Sequence, residues 1–252
     1  MTRTERAHET QIEHARSDLL FPANRAAVRD SRRAVTPLDQ GLAIDGLIHL
    51  REGALLYVLA QRAAPIGDVV EIGAYKGRST WYLAQGLKHA QARRKVISID
   101  PQRRPDVRQT FEEMVAAQRL VEWIDPHFDL SHNVALAFPH DHPVGLVWID
   151  GDHHYDAVRQ DFEDWFPRLA VGGWVAIHDT VNNFEGPTKL TRELLSTRTD
   201  LRSLGIIYMT FFAQKVPARP ANRLAALTTR ASFELLTLLQ ARHAGFGPQK
   251  RG

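Results

Sequence analysis

Hydrophobic positions along this chain change their spacing near residue 65. Before it, apolar residues recur at helical spacing, most clearly in LREGALLYVLAQRA at residues 50–63, and Pro65 and Gly67 end the pattern. After it, short apolar runs alternate with amphipathic stretches. The five runs expected to form strands are residues 69–73, 95–100, 120–124, 144–150 and 174–178. This alternation predicts a parallel sheet covered by helices on both faces.

Helices are expected between and after these strands. They are residues 78–89, 105–117, 131–138, 155–169 and 189–198, with Gly172 and Gly173 closing the helix at 155–169. Two last runs, residues 204–209 and 210–215, lie too close together for a helical crossover and are expected to pair antiparallel. The sequence therefore predicts an α/β, Rossmann-like three-layer sandwich, in which a mostly parallel seven-stranded sheet ends in an antiparallel hairpin.

The same patterns divide the chain into three regions. Residues 1–65 are expected to be an N-terminal helical extension, residues 66–216 the α/β domain, and residues 217–252 a basic amphipathic helical tail. One helix face of the tail is lined by Leu224, Leu227, Ala231, Leu235 and Leu238. We expect this face to cover the domain or to meet another subunit, which would make a homo-oligomer. A helix lying on a membrane surface is a less favoured alternative.

Composition narrows the class of protein. The chain has 252 residues and no cysteine, which excludes a disulfide scaffold, thiolate metal sites and cysteine nucleophiles. The N-terminus lacks the apolar core of a signal peptide, and no stretch reaches the roughly 18 apolar residues that suggest a membrane span. We therefore expect a cytoplasmic protein without a membrane span.

Charge is unevenly distributed. The formal net charge is +3, but from Lys215 onward there are seven basic residues and Glu234 is the only acid. This basic tail could contact nucleic acid, or it could be a solvated helix face. We favour the second interpretation and do not expect a nucleic-acid partner.

Four carboxylates fall at the predicted C-terminal ends of strands: Glu71, Asp100, Asp150 and Asp179. Right-handed crossovers place these ends along one edge of a parallel sheet, where ligands of such folds bind. The register of the four acids therefore predicts a polar site at that edge.

A glycine-bearing turn, VVEIGAYKGRST at residues 69–80, follows the first strand. Gly73 and Gly77 permit positive φ and close backbone approach, and the next helix presents free N–H groups suited to a carboxylate. Tyr75 stands where the dinucleotide fingerprint has its second glycine, which argues against a nicotinamide-dependent oxidoreductase. A ligand with an amino-acid tail fits better, and Asp100 is expected to bond its ribose hydroxyls.

Together with IDGDHHYDAVRQDFEDWFPRLAVGGWVAIHDT at residues 149–180, this turn resembles the class I S-adenosylmethionine-dependent methyltransferases. More narrowly, it is similar to the branch with D-G-x-H-x-Y and H-D motifs, which includes cephalosporin hydroxylase-like proteins and macrolide sugar O-methyltransferases. The resemblance covers roughly residues 46–216 and implies S-adenosylmethionine as the cofactor. The residues then expected to bind it are Glu71, Gly73, Ala74, Tyr75, Gly77, Ser79, Thr80, Asp100, Asp129 and Asp150.

The resemblance also implies catalytic and metal-binding roles. His153 would be the general base, with Asp150 beside it, and Asp150, His178 and Asp179 would hold Mg²⁺ or Mn²⁺. His178 stands where the family often has an acid, so Mn²⁺ or Fe²⁺ gains weight over Mg²⁺. Asp152 is expected to be the N-cap of the helix that begins at Tyr155.

The expected function is S-adenosylmethionine-dependent O-methylation of a small-molecule hydroxyl, on a sugar or another secondary metabolite. Two alternatives stay open. One is a methyltransferase acting on RNA through the basic tail, and the other is a non-catalytic or hydroxylase-like member of the same fold.

Overall fold

The computed structural model describes residues 25–34, 36–181 and 184–243 of the chain. Residues 1–24 of the predicted N-terminal extension and the last nine residues of the basic tail lie outside the described residues. The first described elements are helix α1 (Arg25–Ala34), a 3₁₀ helix (Thr36–Ala43) and helix α2 (Leu50–Ala63).

Seven strands form one sheet, as the sequence predicts. They are β1 (Asp68–Ile72), β2 (Val96–Ile99), β3 (Ile124–His127), β4 (Val144–Ile149), β5 (Leu169–Ile177), β6 (Leu201–Ile207) and β7 (Thr210–Lys215). Their spatial order is β3-β2-β1-β4-β5-β7-β6. Neighbours from β3 to β5 pair parallel, whereas β7 pairs antiparallel with both β5 and β6. The predicted parallel sheet with a C-terminal antiparallel hairpin is confirmed.

Helices cover both faces of this sheet. The remaining ones are α3 (Arg78–His89), α4 (Pro105–Ala117), α5 (Ser131–Ala137), α6 (Tyr155–Trp165), α7 (Glu185–Thr197) and α8 (Asn222–His243). Side chains alternate across the sheet: Val69 of β1 packs in one buried cluster with α2, α3 and α4, and Val70 packs in a second cluster with α5 to α8. The result is the predicted three-layer sandwich.

The third strand lies later than predicted. Leu120 to Ile124 was expected to form it, but Leu120 ends the turn after α4, donating its N–H to the carbonyl of Val115, and β3 begins only at Ile124. Polar residues are tolerated in β3, and so is Pro126, because β3 is an edge strand with a neighbour on one side only.

The boundary between α6 and β5 is also different. The helix ends at Trp165 rather than at residue 169, and Leu169 already pairs with Val144 as the first residue of β5. Gly172, at φ 93°, lies inside β5, where the register between β4 and β5 shifts. The two glycines therefore form a strand irregularity and do not close the helix.

Helix α8 packs through a different face from the one predicted. It contacts β6 and α7, with Ala226, Thr229 and Phe233 buried. Leu224 and Leu227, on the face expected to be covered, are 71% and 46% exposed. The expectation that this leucine face meets another subunit stays a prediction. Within the described residues, no helix is both long and apolar enough to cross a membrane.

Candidate active site

The turn between β1 and α3 lies where the strand order of the sheet reverses. β1 has β2 on one side and β4 on the other, so the C-terminal ends of β1 and β4 face a common crevice. Gly73, Tyr75 and Gly77 adopt φ values of 90°, 48° and 94°. Tyr75 adopts the left-handed conformation although it is not glycine, which introduces local backbone strain.

The two predicted glycines are required by the packing of the protein itself. A Cβ atom at Gly73 would lie 2.1 Å from the carbonyl oxygen of Asp150, and one at Gly77 would lie 2.2 Å from Cε of Met114. The turn is therefore pressed against the end of β4 on one side and against α4 on the other. Ala74, between them, is buried in the core.

Asp100, just after β2, holds this turn in place. Its Oδ2 accepts the backbone N–H of Tyr75 at 2.8 Å, and its Oδ1 accepts that of Gln102 at 2.8 Å. A carboxylate has about four lone-pair positions, so Asp100 can still accept two further hydrogen bonds. This half-buried acid fits the predicted role at a ribose.

Glu71 lies below the turn and is completely buried. Its Oε2 accepts hydroxyl hydrogen bonds from Thr80 at 2.6 Å and Ser98 at 2.8 Å, and Oε1 has no hydrogen-bond partner in the described part of the chain. Burial raises the pKa of Glu71 to about 7, an effect that the hydroxyls of Ser79, Thr80 and Ser98 only partly offset. The structure thus places Glu71, Ser79 and Thr80 in one buried cluster that supports the turn, with one acceptor atom left over.

The segment before α2 lies over the same turn, which the sequence did not reveal. The guanidinium of Arg78 donates to the carbonyls of Ile44 at 2.7 Å and Ile48 at 3.1 Å, and Lys76 forms an ion pair with Asp45. The available signal was two cations on either side of Gly77, and their partners are more than 25 residues away in sequence. Residues 44–48 therefore form one wall beside the turn.

Asp129 lies beyond β3 and is exposed. Its Oδ1 accepts from the side chain of Asn133 at 2.9 Å and from the N–H of Leu130 at 2.7 Å, and these bonds lower its pKa. The structure thus gives Asp129 a local role at the start of α5, and its predicted contact with the cofactor stays a prediction.

A second group of side chains follows β4 and β5, at the adjacent edge of the sheet. Nε2 of His153 lies 2.7 Å from Oδ2 of Asp179, and Nδ1 of His178 lies 2.9 Å from Oδ1 of Asp150. Asp179 adopts φ 55°, a left-handed conformation that is unusual for a residue with a side chain. The structure therefore brings together all four side chains that the segment at residues 149–180 was expected to contribute.

His153 is held on two sides. Its Nε2 is at ion-pair distance from Asp179 without the geometry of a hydrogen bond, and the ring of Phe184 stacks on the imidazole with a centroid separation of 4.2 Å. Asp152, by contrast, is not the predicted N-cap. That position is His154, and Oδ1 of Asp152 accepts the His154 N–H at 2.8 Å because the chain makes one more turn before α6.

His178 has a partner that sequence reasoning missed. Oε1 of Glu52, from α2, lies 3.2 Å from its Nε2, at ion-pair distance without the angle of a hydrogen bond. Glu52 is 1% exposed, and Oε1 also accepts the hydroxyl of Thr210 at 2.7 Å. Burial alone would lower the pKa of His178, but Asp150 and Glu52 outweigh burial and hold it well above its usual value. The two carboxylates therefore favour the protonated form of His178.

The predicted metal set of Asp150, His178 and Asp179 stays a prediction. Nδ1 of His178 lies 2.9 Å from Oδ1 of Asp150 and 3.6 Å from Oδ2 of Asp179, and Nε2 faces Glu52, as the second nitrogen of a metal-binding histidine often faces a carboxylate. Asp150, His153 and Asp179 form a second candidate set, because each offers one donor atom and these atoms lie within 4.8 Å of one another.

Comparison with known proteins agrees with the architecture. Residues 70–180 match a family model described as a methyltransferase domain, a span that contains the turn, Asp150, His153 and Asp179. An uncharacterized protein of Sinorhizobium fredii, y4gI, is 45% identical over 40 residues. That match covers 16% of this chain, and the chain spans about 4% of the length of that relative.

Solved structures share the fold at low identity. The O-methyltransferase TomG from Streptomyces achromogenes, involved in tomaymycin synthesis and solved in complex with S-adenosylmethionine (SAM), is 17% identical with a TM-score of 0.57, over 86% of this chain and 100% of that one. An O-methyltransferase from Bacillus cereus in complex with SAH is 16% identical, with a TM-score of 0.56, over 82% of this chain and 97% of that one.

A third such structure is the O-methyltransferase NovP, which is 14% identical with a TM-score of 0.58 over 76% of this chain and 100% of that one. The likeness to these structures establishes a common fold, and the family match places a methyltransferase domain in the same residues. Residues 70–180 therefore match a methyltransferase domain, and the chain has the fold that these solved O-methyltransferases share.

Proposed function

We propose that this chain methylates a hydroxyl oxygen of a small molecule and that His153 is the general base. The observation that carries the proposal is the contact between His153 and Asp179 at the same sheet edge as the glycine turn. A histidine oriented by a carboxylate can accept a hydroxyl proton near neutral pH.

The residues around the turn fit the cofactor. The half-buried carboxylate of Asp100 has lone pairs left for ribose hydroxyls, and the unpaired Oε1 of Glu71 is an acceptor beneath the turn. The N-terminus of α3 offers N–H groups for the carboxylate of an amino-acid tail. Bound S-adenosylmethionine would supply a methyl group on a sulfonium, which an oxygen nucleophile attacks in line.

The chain's own part in the reaction is positioning and proton removal. As the new C–O bond forms and the S–C bond breaks, the acceptor's hydroxyl proton passes to an imidazole nitrogen of His153. The carboxylate of Asp179 stabilises the imidazolium that results, because it lies 2.7 Å from the ring. Phe184, stacked on the other side, limits rotation of the ring.

The cofactor part of the proposal is tested by calorimetric titration with SAM and with SAH. We expect both to bind the wild type and Asp100→Ala to weaken binding at least about tenfold, the effect of one or two lost hydrogen bonds. Asp106→Ala is the matched control, since Asp106 is an exposed acid in the first turn of α4. A wild type that binds neither compound would overturn the proposed function and favour the non-catalytic alternative.

The base is tested by transfer of a labelled methyl group to a panel of phenols, catechols and sugar alcohols. For any acceptor that the wild type methylates, His153→Ala should reduce the rate by about 10²- to 10⁴-fold while SAH binding is retained. His154→Ala is the control, because the neighbouring ring is exposed and contacts only Asp152 among the described residues. An unchanged rate in His153→Ala would exclude this histidine as the base.

The RNA alternative has less support. Among the basic residues that motivated it, Lys215 donates to the carbonyls of Phe166 and Leu169, and Arg230 donates to Ser196 within the fold. These two cations join β7 to the turn after α6 and α8 to α7.

A further inference from the structure

Helix α8 leaves its most apolar face uncovered. The helix packs on β6 and α7 through the opposite face, which includes Phe233. Four residues of the leucine face are exposed, namely Leu224, Leu227, Ala231 and Leu235. We propose that this leucine face, together with arginines at the N-terminal end of α8, docks the protein onto an anionic lipid surface. The inference is independent of the proposed methylation, since it concerns a different part of the molecule.

The exposed apolar residues form one stripe along the helix. At 100° per residue, positions 224, 227, 231 and 235 lie within about 80° of one another, and the stripe is about 16 Å long. An amphipathic helix with such a stripe lies in the plane of a bilayer interface, with its apolar side chains at the boundary of the acyl chains. The sequence favoured a leucine face covered by the domain. The structure removes that reason for ranking a lipid surface lower, because the domain covers the other face.

The N-terminal end of α8 is fixed at a basic corner of the molecule. The N–H of Arg219 and the side chain of Asn222 both donate to the carbonyl of Thr199, just before β6, at 3.0 and 2.7 Å. Arg219 and Arg223 therefore lie at the same corner as Arg202, the second residue of β6. All three arginines are exposed, and within the described residues none of them pairs with an acid.

The acids near this corner are already engaged. Asp200 pairs with Arg198, and Glu234, the single acid of α8, pairs with Arg192 at 2.9 Å. The corner is therefore positively charged, which attracts it to anionic headgroups by an interaction that salt weakens. The charge also lies next to the apolar stripe, because the stripe begins at the residue that follows Arg223.

A second copy of the chain fits this face less well. Two α8 helices paired along their leucine faces would bring basic residues together, and Glu234 is not free to compensate them because it pairs with Arg192. Residues 235–252 add three lysine or arginine residues and no acid, so neither orientation of the pair offers complementary charge. RNA would pair with the arginines, but it would leave the leucines in water. A lipid surface complements both features.

Vesicle binding by the full-length protein tests the proposal. The wild type is sedimented with vesicles of phosphatidylcholine alone, and with vesicles that contain about 30% phosphatidylserine. We expect at least about tenfold tighter binding to the anionic vesicles at about 0.1 M salt, because each arginine near an anionic surface strengthens binding about fivefold. The difference should shrink at about 0.5 M salt. Binding to neither kind of vesicle, or equal binding to both, would overturn the proposal.

A double variant tests the apolar stripe. Leu224→Ser with Leu227→Ser should weaken binding to the anionic vesicles at least about tenfold, because two apolar side chains no longer enter the bilayer. The matched control is Leu136→Ser with Val121→Ser, two residues that are 69% and 65% exposed outside α8, and it should bind like the wild type. Circular dichroism checks that both double variants fold. A leucine variant that binds as tightly as the wild type would contradict the docking mode.

A second double variant tests the basic corner. Arg219→Gln with Arg223→Gln should remove most of the preference for anionic vesicles. Arg93→Gln with Arg119→Gln lowers the net charge equally, but these residues precede β2 and β3 at the other end of the sheet, and the preference should be kept. Equal losses in the two variants would mean that net charge alone drives binding, which would refute the role given to this corner.

The competing occupants give different results. Sedimentation velocity without lipid measures self-association, and a gel shift with single-stranded RNA measures nucleic-acid binding. A dimer that dissociates in the leucine variant, without vesicle binding by the wild type, would assign the leucine face to a second copy. RNA binding that is lost in Arg219→Gln with Arg223→Gln, again without vesicle binding, would assign the corner to nucleic acid. Either result overturns the lipid proposal and leaves the proposed methylation standing.

Discussion

Glu71 is a buried acid whose ionisation opposes folding. Its side chain is completely buried, and burial raises its pKa from an ordinary 4.5 to about 7. Between these two values the folded protein keeps a proton that the unfolded chain has released, so this residue lowers stability as pH rises from about 4.5 to about 7. Above about pH 7 the full loss of stability is present.

Glu71→Gln should therefore stabilise the protein at alkaline pH and change little at pH 4. A pKa displaced by one pH unit corresponds to about 1.4 kcal/mol, so the variant should gain up to about 3 kcal/mol at pH 8. Urea unfolding at pH 4, 6 and 8 measures the difference. Glu113→Gln, at an exposed position of α4, should follow the wild type at each pH. If the free energy of unfolding of Glu71→Gln differs from that of the wild type by the same amount at every pH, burial does not raise the pKa of this carboxyl.

At the residue scale, the sequence revealed side chains that follow strands and missed the one that comes from a helix. Asp150, His153, His178 and Asp179 sit at strand ends, and the structure brings them together because parallel strands end at one edge. Glu52 contacts His178 across 126 positions of sequence. In the sequence it is only an acid in the first turn of a helix, and a single sequence contains no information on which distant histidine it faces.

At the scale of elements, Lys215 joins strand β7 to the turn after α6. Its ammonium donates to the carbonyls of Phe166 at 2.8 Å and Leu169 at 2.6 Å, and it lies 4.8 Å from the centre of the Phe166 ring. The sequence predicts this lysine at the end of a strand and counts its charge with the basic tail, because charge along a chain does not show which cations bond to carbonyls. In the structure it satisfies acceptors where helix turns into strand.

Lys215→Met keeps the aliphatic stem and removes the donor. Three backbone carbonyls, those of Phe166, Pro167 and Leu169, then lose a charged partner, which should lower the free energy of unfolding by about 1–3 kcal/mol. Denaturant unfolding followed by tryptophan fluorescence gives the value, and Lys95→Met, at an exposed lysine just before β2, should change it by less than about 0.5 kcal/mol. Equal effects of the two substitutions would mean that the ammonium contributes nothing at the end of α6.

Element boundaries show the same limit of sequence reasoning. The apolar pattern correctly predicts seven strands and their parallel or antiparallel pairing, because burial on both faces leaves a clear signal. It places β3 too early, because Leu120 and Val121 are apolar, whereas the edge strand contains Asp125 and Pro126. An edge strand pairs on one side only, so its composition is less constrained than that of a central strand.

On the scale of the whole molecule, helix α2 belongs to the core of the α/β domain. The sequence separates residues 1–65 as an extension, but Leu50, Leu55, Leu56 and Leu59 pack in the same buried cluster as Val69 of β1 and Leu146 of β4. The same helix contributes Glu52 to the candidate active site. Folding of the sheet and assembly of the site therefore both depend on a segment outside the methyltransferase match.

Two leucines test this dependence because they lie eight positions apart and differ in burial. Leu55 is 0% exposed in α2 and Leu47, in the wall beside the turn, is 64% exposed. Leu55→Ala should reduce the free energy of unfolding by about 2–5 kcal/mol, the usual cost of a cavity in a packed core, whereas Leu47→Ala should change it by less than about 0.5 kcal/mol. Urea unfolding is followed by circular dichroism, which reports all helices, and by tryptophan fluorescence, which reports the five tryptophans, none of which lies in α2. If α2 shares one core with the sheet, both signals for Leu55→Ala shift to the same lower midpoint in a single transition. A fluorescence midpoint that stays at the wild-type value while part of the circular dichroism signal is lost earlier would instead make α2 a separate folding unit.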